Sequence, residues 1–435
     1  MKMRYINRLF PLLLLTLSLP AGAADLAGSW SGTWTKDNDA LPVTVTIEKS
    51  GAAYSGSFSS DALQAAGIPF KEISDKGGRV HIVLKGDATT TVFDGALTGD
   101  GLTGTFTEGV AKGTFALKRS APPSAAIKTR DVTFKDGDVT LAGTLVLPSS
   151  LGPHPAVMFL HGSGPEGRWA NRWLAEKFAE AGIAALISDK RGVGQSTGDW
   201  EKAGFDDLAG DAVAGVRFLQ AQAEVDPKRV GIYGHSQGGT IAPLVVERAG
   251  DVAFVIASAP GGIPPADMET YSIENSIGVP SLPQGEQEDA RAFVRAIVDV
   301  GYRGHPRAEL DAIAAKYKSR SWYFEPPPAD DAYWELSRRI ADFEPPAHWR
   351  NVRVPVLLLF GAHDERVPSV PSASAIRTTL TRQARRERRN ITVTVKFYPN
   401  ADHTFAIVDP PHKGGWPRHE PGYADTIAHW VTSLR

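Results

Sequence analysis

Residues 229–239 read Arg229-Val230-Gly231-Ile232-Tyr233-Gly234-His235-Ser236-Gln237-Gly238-Gly239. A short apolar strand runs up to Tyr233, and helix-forming residues 240–248 follow, so the serine falls on a tight strand-to-helix connection. Such a turn is sharp and strained, and it needs small residues on either side of the serine. Gly234 and Gly238 supply them, and the hydroxyl of Ser236 is then pushed out at the carboxyl end of the strand. The pentapeptide alone does not decide the matter. The chain holds 43 glycines and offers a second match, Gly194-Gln195-Ser196-Thr197-Gly198. Ser196, however, lies in a loop after Asp189-Lys190-Arg191-Gly192, and Thr197-Gly198-Asp199 begins no helix. Context selects Ser236.

Outward from this turn, apolar strands alternate with helical segments. Residues 131–134, 139–147, 156–160, 183–187, 252–256, 354–360 and 391–397 read as strands. Residues 171–181 read as a helix, as do 207–223, where Leu208, Val213, Val216 and Leu219 recur at helical spacing. Buried strands alternating with helices predict an α/β architecture, a mostly parallel sheet with helices on both faces. Between residues 261 and 351 the alternation breaks into helical patterning (286–300, 308–317, 332–340) rich in aromatics and proline, including Trp322, Tyr323, Phe324 and Trp334. An insertion between two sheet strands folds over the carboxyl edge of the sheet, and a helical cap is expected there.

A serine hydroxyl at its ordinary pKa is a poor nucleophile. It needs a base to take its proton and a third group to orient that base. When the serine sits on a strand-to-helix turn, the acid and then the histidine should follow it, each just after a strand. Val356-Leu357-Leu358-Leu359-Phe360 leads into Gly361-Ala362-His363-Asp364-Glu365-Arg366, which puts Asp364 where the acid belongs. Val395-Lys396-Phe397-Tyr398 leads into Pro399-Asn400-Ala401-Asp402-His403, which puts His403 where the base belongs. Glu365 and Asp402 are the alternative acids and His363 the alternative base. His235, beside the serine, is assigned to packing. The developing oxyanion needs two backbone N–H donors. One is expected from Gln237, the other from His161-Gly162-Ser163-Gly164-Pro165 after strand 156–160, with the Ser163 amide first and Gly162 next.

The N-terminal third has another character. From residue 24 to 119 the chain is rich in Gly, Thr, Ser and Val, with alternating runs such as Val43-Thr44-Val45-Thr46-Ile47 and a hairpin around residues 93–106. This predicts a small all-β domain. Its opening, Gly28-Ser29-Trp30-Ser31-Gly32-Thr33-Trp34, resembles the start of lipocalin-like barrels, and a structural Trp plugging a small barrel is the plainer reading. Residues 120–126 read as a linker, leaving 127–435 as the α/β unit. Lys2, Arg4 and Arg8, the apolar run 9–19 and Ala21-Gly22-Ala23 read as an export signal cut after Ala23, and hence a periplasmic or secreted protein. The run is too short to span a bilayer. The cysteine count is zero, so stability rests on buried apolar area and not on disulfides. With 47 basic against 49 acidic residues, and three of the basic ones in the signal, nothing points to nucleic acid or an anionic membrane as partner. The basic run 382–389 reads as a solvated helix end. His412, His419 and His429 lack metal-ligand spacing.

The segments 161–165, 189–196 and 234–239 together resemble bacterial α/β-hydrolase carboxylesterases related to the serine aminopeptidase and prolyl-oligopeptidase branch. The likeness covers roughly residues 127–435 and is interrupted by the insertion. It implies hydrolysis of small or medium acyl esters through an acyl-enzyme, with a small-molecule ester as substrate and no metal or organic cofactor. No segment reads as the large β-propeller of prolyl oligopeptidases. Two other readings stand beside esterase. One is an aminopeptidase or amidase, with Asp267, Glu269 or Glu274 as candidates to hold a substrate ammonium. The other is a ligand-binding β domain tethering the hydrolase to a glycan, lipid or cell-wall substrate.

Overall fold

The computed structural model describes residues 25–85, 89–122, 127–408 and 416–434. The export signal, residues 123–126 of the linker and His412 lie outside the described residues.

The first sheet is a nine-stranded antiparallel meander: β1 (Gly28–Lys36), β2 (Asp39–Ser50), β3 (Ala53–Ser60), β4 (Ala65–Pro69), β5 (Glu72–Lys76), β6 (Arg79–Lys85), β7 (Thr90–Thr98), β8 (Gly101–Glu108) and β9 (Ala111–Ser120). Its spatial order is β4-β3-β2-β1-β9-β8-β7-β6-β5. Two-residue periodicity sends Leu41, Val43, Val45 and Ile47 of β2 inward and their neighbours outward. The sheet curls because the strands approach closely at glycine. A Cβ on Gly32 would collide with the carbonyl of Ala116 on β9. Aromatic rings fill the interior. The Trp34 ring lies 4.8 Å from that of Phe58 and 4.7 Å from that of Phe93. A cavity of about 10 Å³ lies between Trp34, Phe70, Phe93 and Phe115. Trp30 and Trp34 of the opening segment are both buried in this interior.

The second sheet has eight strands: β10 (Ile127–Asp136), β11 (Val139–Pro148), β12 (His154–Leu160), β13 (Ala184–Ser188), β14 (Val225–His235), β15 (Val255–Ser258), β16 (Val356–Gly361) and β17 (Val393–Tyr398). The order is β10-β11-β13-β12-β14-β15-β16-β17, antiparallel up to the β11·β13 pair and parallel from there on. Every residue of β12, β13, β15 and β16 is buried. These strands are therefore continuous apolar runs and do not alternate. One face is covered by α1 (Arg172–Glu180) and by a terminal helix (Tyr423–Ser433), through Leu174, Phe178, Ile427 and Val431. The opposite face takes α2 (Phe205–Gln220), α3 (Gln237–Ala249) and the helix Ser369–Arg386. After β12 the chain moves first to one neighbour and later to the other, which opens a crevice at the carboxyl ends of β12 and β14.

Five helices, α4 (Pro265–Ser276), α5 (Gln284–Tyr302), α6 (Arg307–Tyr317), α7 (Ala332–Ile340) and α8 (Pro345–Trp349), are inserted between β15 and β16. Phe293, Trp322 and Trp334 sit in an apolar cluster of their own within this insertion. The two sheets are tied together through α1 and the C-terminal segment. Trp173 Nε1 donates to Asp61 at 2.8 Å. Trp416 donates from its backbone and indole to Asp39, at 3.0 and 3.1 Å, at the open end of the curled sheet. Among the described residues no helix is long and apolar enough to cross a membrane.

Because Trp34 sits at the centre of the first core, Trp34→Ala should lower unfolding free energy by about 3–5 kcal/mol in chemical denaturation. An unchanged midpoint would mean that the aromatic plug does not hold that sheet together.

Candidate active site

Ser236 follows β14 and caps α3, with φ 54° and ψ −117°. A side chain with a Cβ adopts such a backbone only when its surroundings over-determine it. Here they do. Its N–H donates to Ser258 O on β15 at 2.8 Å. A Cβ on Gly234 would run into the Gly238 backbone, and one on Gly238 would lie 2.8 Å from the carbonyls of Leu160 and His161. Both positions need glycine because backbone passes against backbone.

His403 stands in the loop after β17, with Nε2 3.0 Å from Ser236 Oγ and Nδ1 2.8 Å from Asp364 Oδ2. The carboxylate acceptor fixes the proton on Nδ1 and leaves Nε2 free to accept from the serine hydroxyl. The Asp364 side chain is fully buried, and its other oxygen accepts the N–H groups of Arg366 and Val367 at 2.8 Å each. The α4 hydroxyl of Tyr271 donates to the Asp364 carbonyl at 2.8 Å, so the insertion also holds the acid loop. The alternatives fall elsewhere. Asp402 turns the histidine loop by accepting from Thr404 and Ala406. Glu365 and His363 are exposed. Ser196 Oγ donates to Asp189 O at 2.7 Å and accepts from Ala142 N at 3.0 Å, a buried hydroxyl holding a loop onto β11.

Ser163 and Gln237 line the same cavity as Ser236, as the expected oxyanion donors should. Gly162 needs a correction. Its N–H is taken by Glu166 Oε2 at 2.8 Å, so it points away from the serine and offers no second-choice donor. The Glu166 side chain, four residues on, thus takes the first amide of this loop.

That cavity, of about 500 Å³, includes Trp200, Phe205, Met268 and Leu336. A second chamber of about 520 Å³ opens beside it and includes His403, Thr404, Ile273 and Phe324. Glu269, Ser272, Tyr333 and Arg366 belong to both walls. Of the three acidic candidates in the insertion, only Glu269 reaches these chambers. Tyr333 donates to it at 2.9 Å, and burial raises its pKa. Glu274 lies instead near Arg291.

Sequence reading passed over Lys190, whose ammonium lies beneath the 162–164 loop, and over the hydroxyl chain behind the base. Tyr233 and Tyr423 lie 3.0 Å apart, Tyr423 and Ser258 2.7 Å, and Ser258 and His235 3.3 Å. The His235 ring lies 4.9 Å from that of His403. Burial, helped by the neighbouring His403, pushes the His235 pKa down to about 3, and burial takes His161 to about 4. The native state keeps both rings neutral, whereas the unfolded chain protonates them near 6.5. Their contribution to stability is therefore complete above pH 6.5 and is lost as pH falls toward 4. Thermal melts across that interval should show a steady fall in Tm, shallower in His235→Asn. A Tm independent of pH there contradicts neutral burial.

A family model described as Serine aminopeptidase, S33, matches residues 152–409. The esterase EstD of Thermotoga maritima is 25% identical over 249 residues, 54% of this chain and 53% of that protein. The quorum-quenching protein AidA of Acinetobacter baumannii is 29% identical over 131 residues, 30% of this chain and 43% of AidA. The chain spans about half the length of these curated relatives. Among solved structures, the Pyrococcus furiosus esterase Pf2001 superposes with a TM-score of 0.44 at 17% identity, covering 70% of this chain and 92% of that one. The matched segment takes in β12 through the loop after β17, and with it Ser163, Ser236, Gln237, Asp364 and His403. The chain belongs to the Serine aminopeptidase, S33, family of α/β hydrolases.

Proposed function

We propose that the protein is a serine esterase acting on small or medium acyl esters, with Ser236 as nucleophile, His403 as general base and Asp364 as its orienting acid. The observation that carries this reading is the continuous hydrogen-bonded line from Ser236 Oγ through the imidazole to a buried carboxylate. His403 Nε2 takes the hydroxyl proton as Oγ attacks the ester carbonyl. The carbonyl oxygen becomes an oxyanion that accepts hydrogen bonds from the Ser163 and Gln237 amides. Collapse breaks the bond to the alkoxide, which leaves with the proton from His403. Water then repeats the cycle on the acyl-enzyme and releases the acid. His403 must reach the leaving oxygen, so the chamber it lines receives the alcohol. The chamber beside Ser163 and Gln237, with Trp200, Phe205 and Met268, receives the acyl chain. In this reading the helical insertion is a cap, since Glu269 and Tyr333 from its helices wall both chambers and Phe324 walls the one beside His403.

Hydrolysis of p-nitrophenyl esters of graded chain length tests the assignment. Ser236→Ala should lose turnover by about 10⁴-fold or more. Ser196→Ala should keep it and lose stability instead. Retained activity in Ser236→Ala, or its loss only in Ser196→Ala, overturns the reading.

The aminopeptidase reading keeps one observation in its favour, the buried Glu269 carboxylate on the shared wall of the chambers. Matched ester and anilide substrates separate the two. The esterase reading expects the ester to be cleaved far faster, with Glu269→Gln leaving ester turnover within several-fold. Efficient anilide cleavage that collapses in Glu269→Gln would favour the peptidase.

A further inference from the structure

We propose that Lys190 is a positioning residue that aims the oxyanion-binding amides by holding the carbonyl groups on both sides of Ser163. The inference rests on the esterase reading of Ser236. Lys190 follows β13 and is almost completely buried. Its Nζ donates to Gly162 O at 2.8 Å and to Gly164 O at 3.0 Å, and it lies 3.4 Å from Gln237 Oε1. One ammonium thus reaches both segments from which the oxyanion donors come.

The peptide unit explains what this accomplishes. Gly162 C=O and Ser163 N–H belong to one planar trans amide, so they point in opposite directions. A lysine pulling the carbonyl inward turns the N–H outward, into the cavity that Ser236 shares. The Glu166 carboxylate fixes the preceding amide, that of Gly162, from the other side. The charged donor also polarises the amide and strengthens what its N–H can offer an oxyanion. The Trp200 ring, 5.2 Å from Nζ, lines the acyl chamber.

Ionisable groups surround the ammonium on each packed element. Glu166 lies in the loop after β12, Asp211 on α2 is held by Arg191, and His161 at the end of β12 is neutral. Burial outweighs the two carboxylates and brings the Lys190 pKa down to about 8. Lys190 is therefore cationic at neutral pH and loses its charge at mildly alkaline pH. The positively charged form is the one that supports turnover.

The test compares wild type, Lys190→Met, Lys190→Arg and Ser236→Ala on one p-nitrophenyl ester, with an alkylboronic acid as a tetrahedral adduct of Ser236. The removal of an oxyanion contact typically costs about 10²–10³-fold in kcat, and Lys190→Met should fall by about 10²-fold with KM within about threefold. Boronate affinity should drop in parallel, and Lys190→Arg should recover part of both. A folded Lys190→Met with kcat within about threefold of wild type overturns the proposal. So does a loss confined to KM that leaves boronate binding intact. If Lys190→Met does not fold, the wild type decides. Its kcat should decline as pH rises through about 8, and a flat profile from about pH 7 to about pH 10 overturns the inference. Activity retained in Ser236→Ala would instead overturn the esterase reading itself, so the two failures are distinguishable.

Discussion

The backbone of Ser236 is held at φ 54° between the central strand of a buried parallel sheet and the helix that leaves it. A non-glycine residue in such a region costs of order 1–3 kcal/mol, which the surrounding structure must offset. The offset comes from the fully buried strands β12, β15 and β16 and from the buried residues 230–234 of β14. It also comes from the close backbone approach that Gly234 and Gly238 permit. Because the turn is held on both sides, the hydroxyl stays above the sheet, and the helix begins at Gln237, which lines the same cavity. The loops after β12, β16 and β17 then bring the remaining groups to a point already determined.

Around that point the chain places charge sparingly. The carboxyl group of Asp364 is buried, and the hydrogen bonds its two oxygens accept compensate for that burial. His235, packed against His403, stays neutral and does not compete for the proton. The segment Asp189-Lys190-Arg191 carries three consecutive buried charges, each directed to a different task. Asp189 receives Arg168, Lys190 supports the 162–164 loop, and Arg191 meets Asp211 on α2. This is a polar spine for the crevice, and Ser196, the other glycine-flanked serine, belongs to it through its bond to the Asp189 carbonyl.

The strand-turn-helix around Ser236 was legible because it depends on local chemistry, namely glycines where backbone meets backbone and a continuous apolar strand before them. The positions of Asp364 and His403 were legible from their order after strands β16 and β17, and both side chains lie in line with Ser236. The direction of an individual amide was not. Gly162 and Ser163 are adjacent small residues, and the partners that fix this loop, Glu166 on the Gly162 N–H and Lys190 on the Gly162 carbonyl, are set by side chains that the local sequence does not reveal. Helix Ser369–Arg386 escaped notice because Ser, Thr and Arg dominate it and Pro371 interrupts the pattern. Its buried face is nonetheless Ala373, Ile376, Leu380 and Ala384, at helical spacing. The basic run 382–389 includes the end of that helix, where Arg385 and Arg386 meet the carbonyl pole. The reach of Glu269, but not Glu274, into the chambers depends on how α4 is docked, which its weak amphipathic pattern does not announce.

The central claim is that a single strained serine, activated by His403, is the reactive nucleophile. Covalent labelling with an alkyl fluorophosphonate, followed by peptide mapping, tests it most directly. The account predicts one adduct per chain, on Ser236, with labelling greatly slowed in His403→Ala. A stable adduct on Ser196 or any other residue, or labelling of Ser236 at full rate without His403, would contradict it.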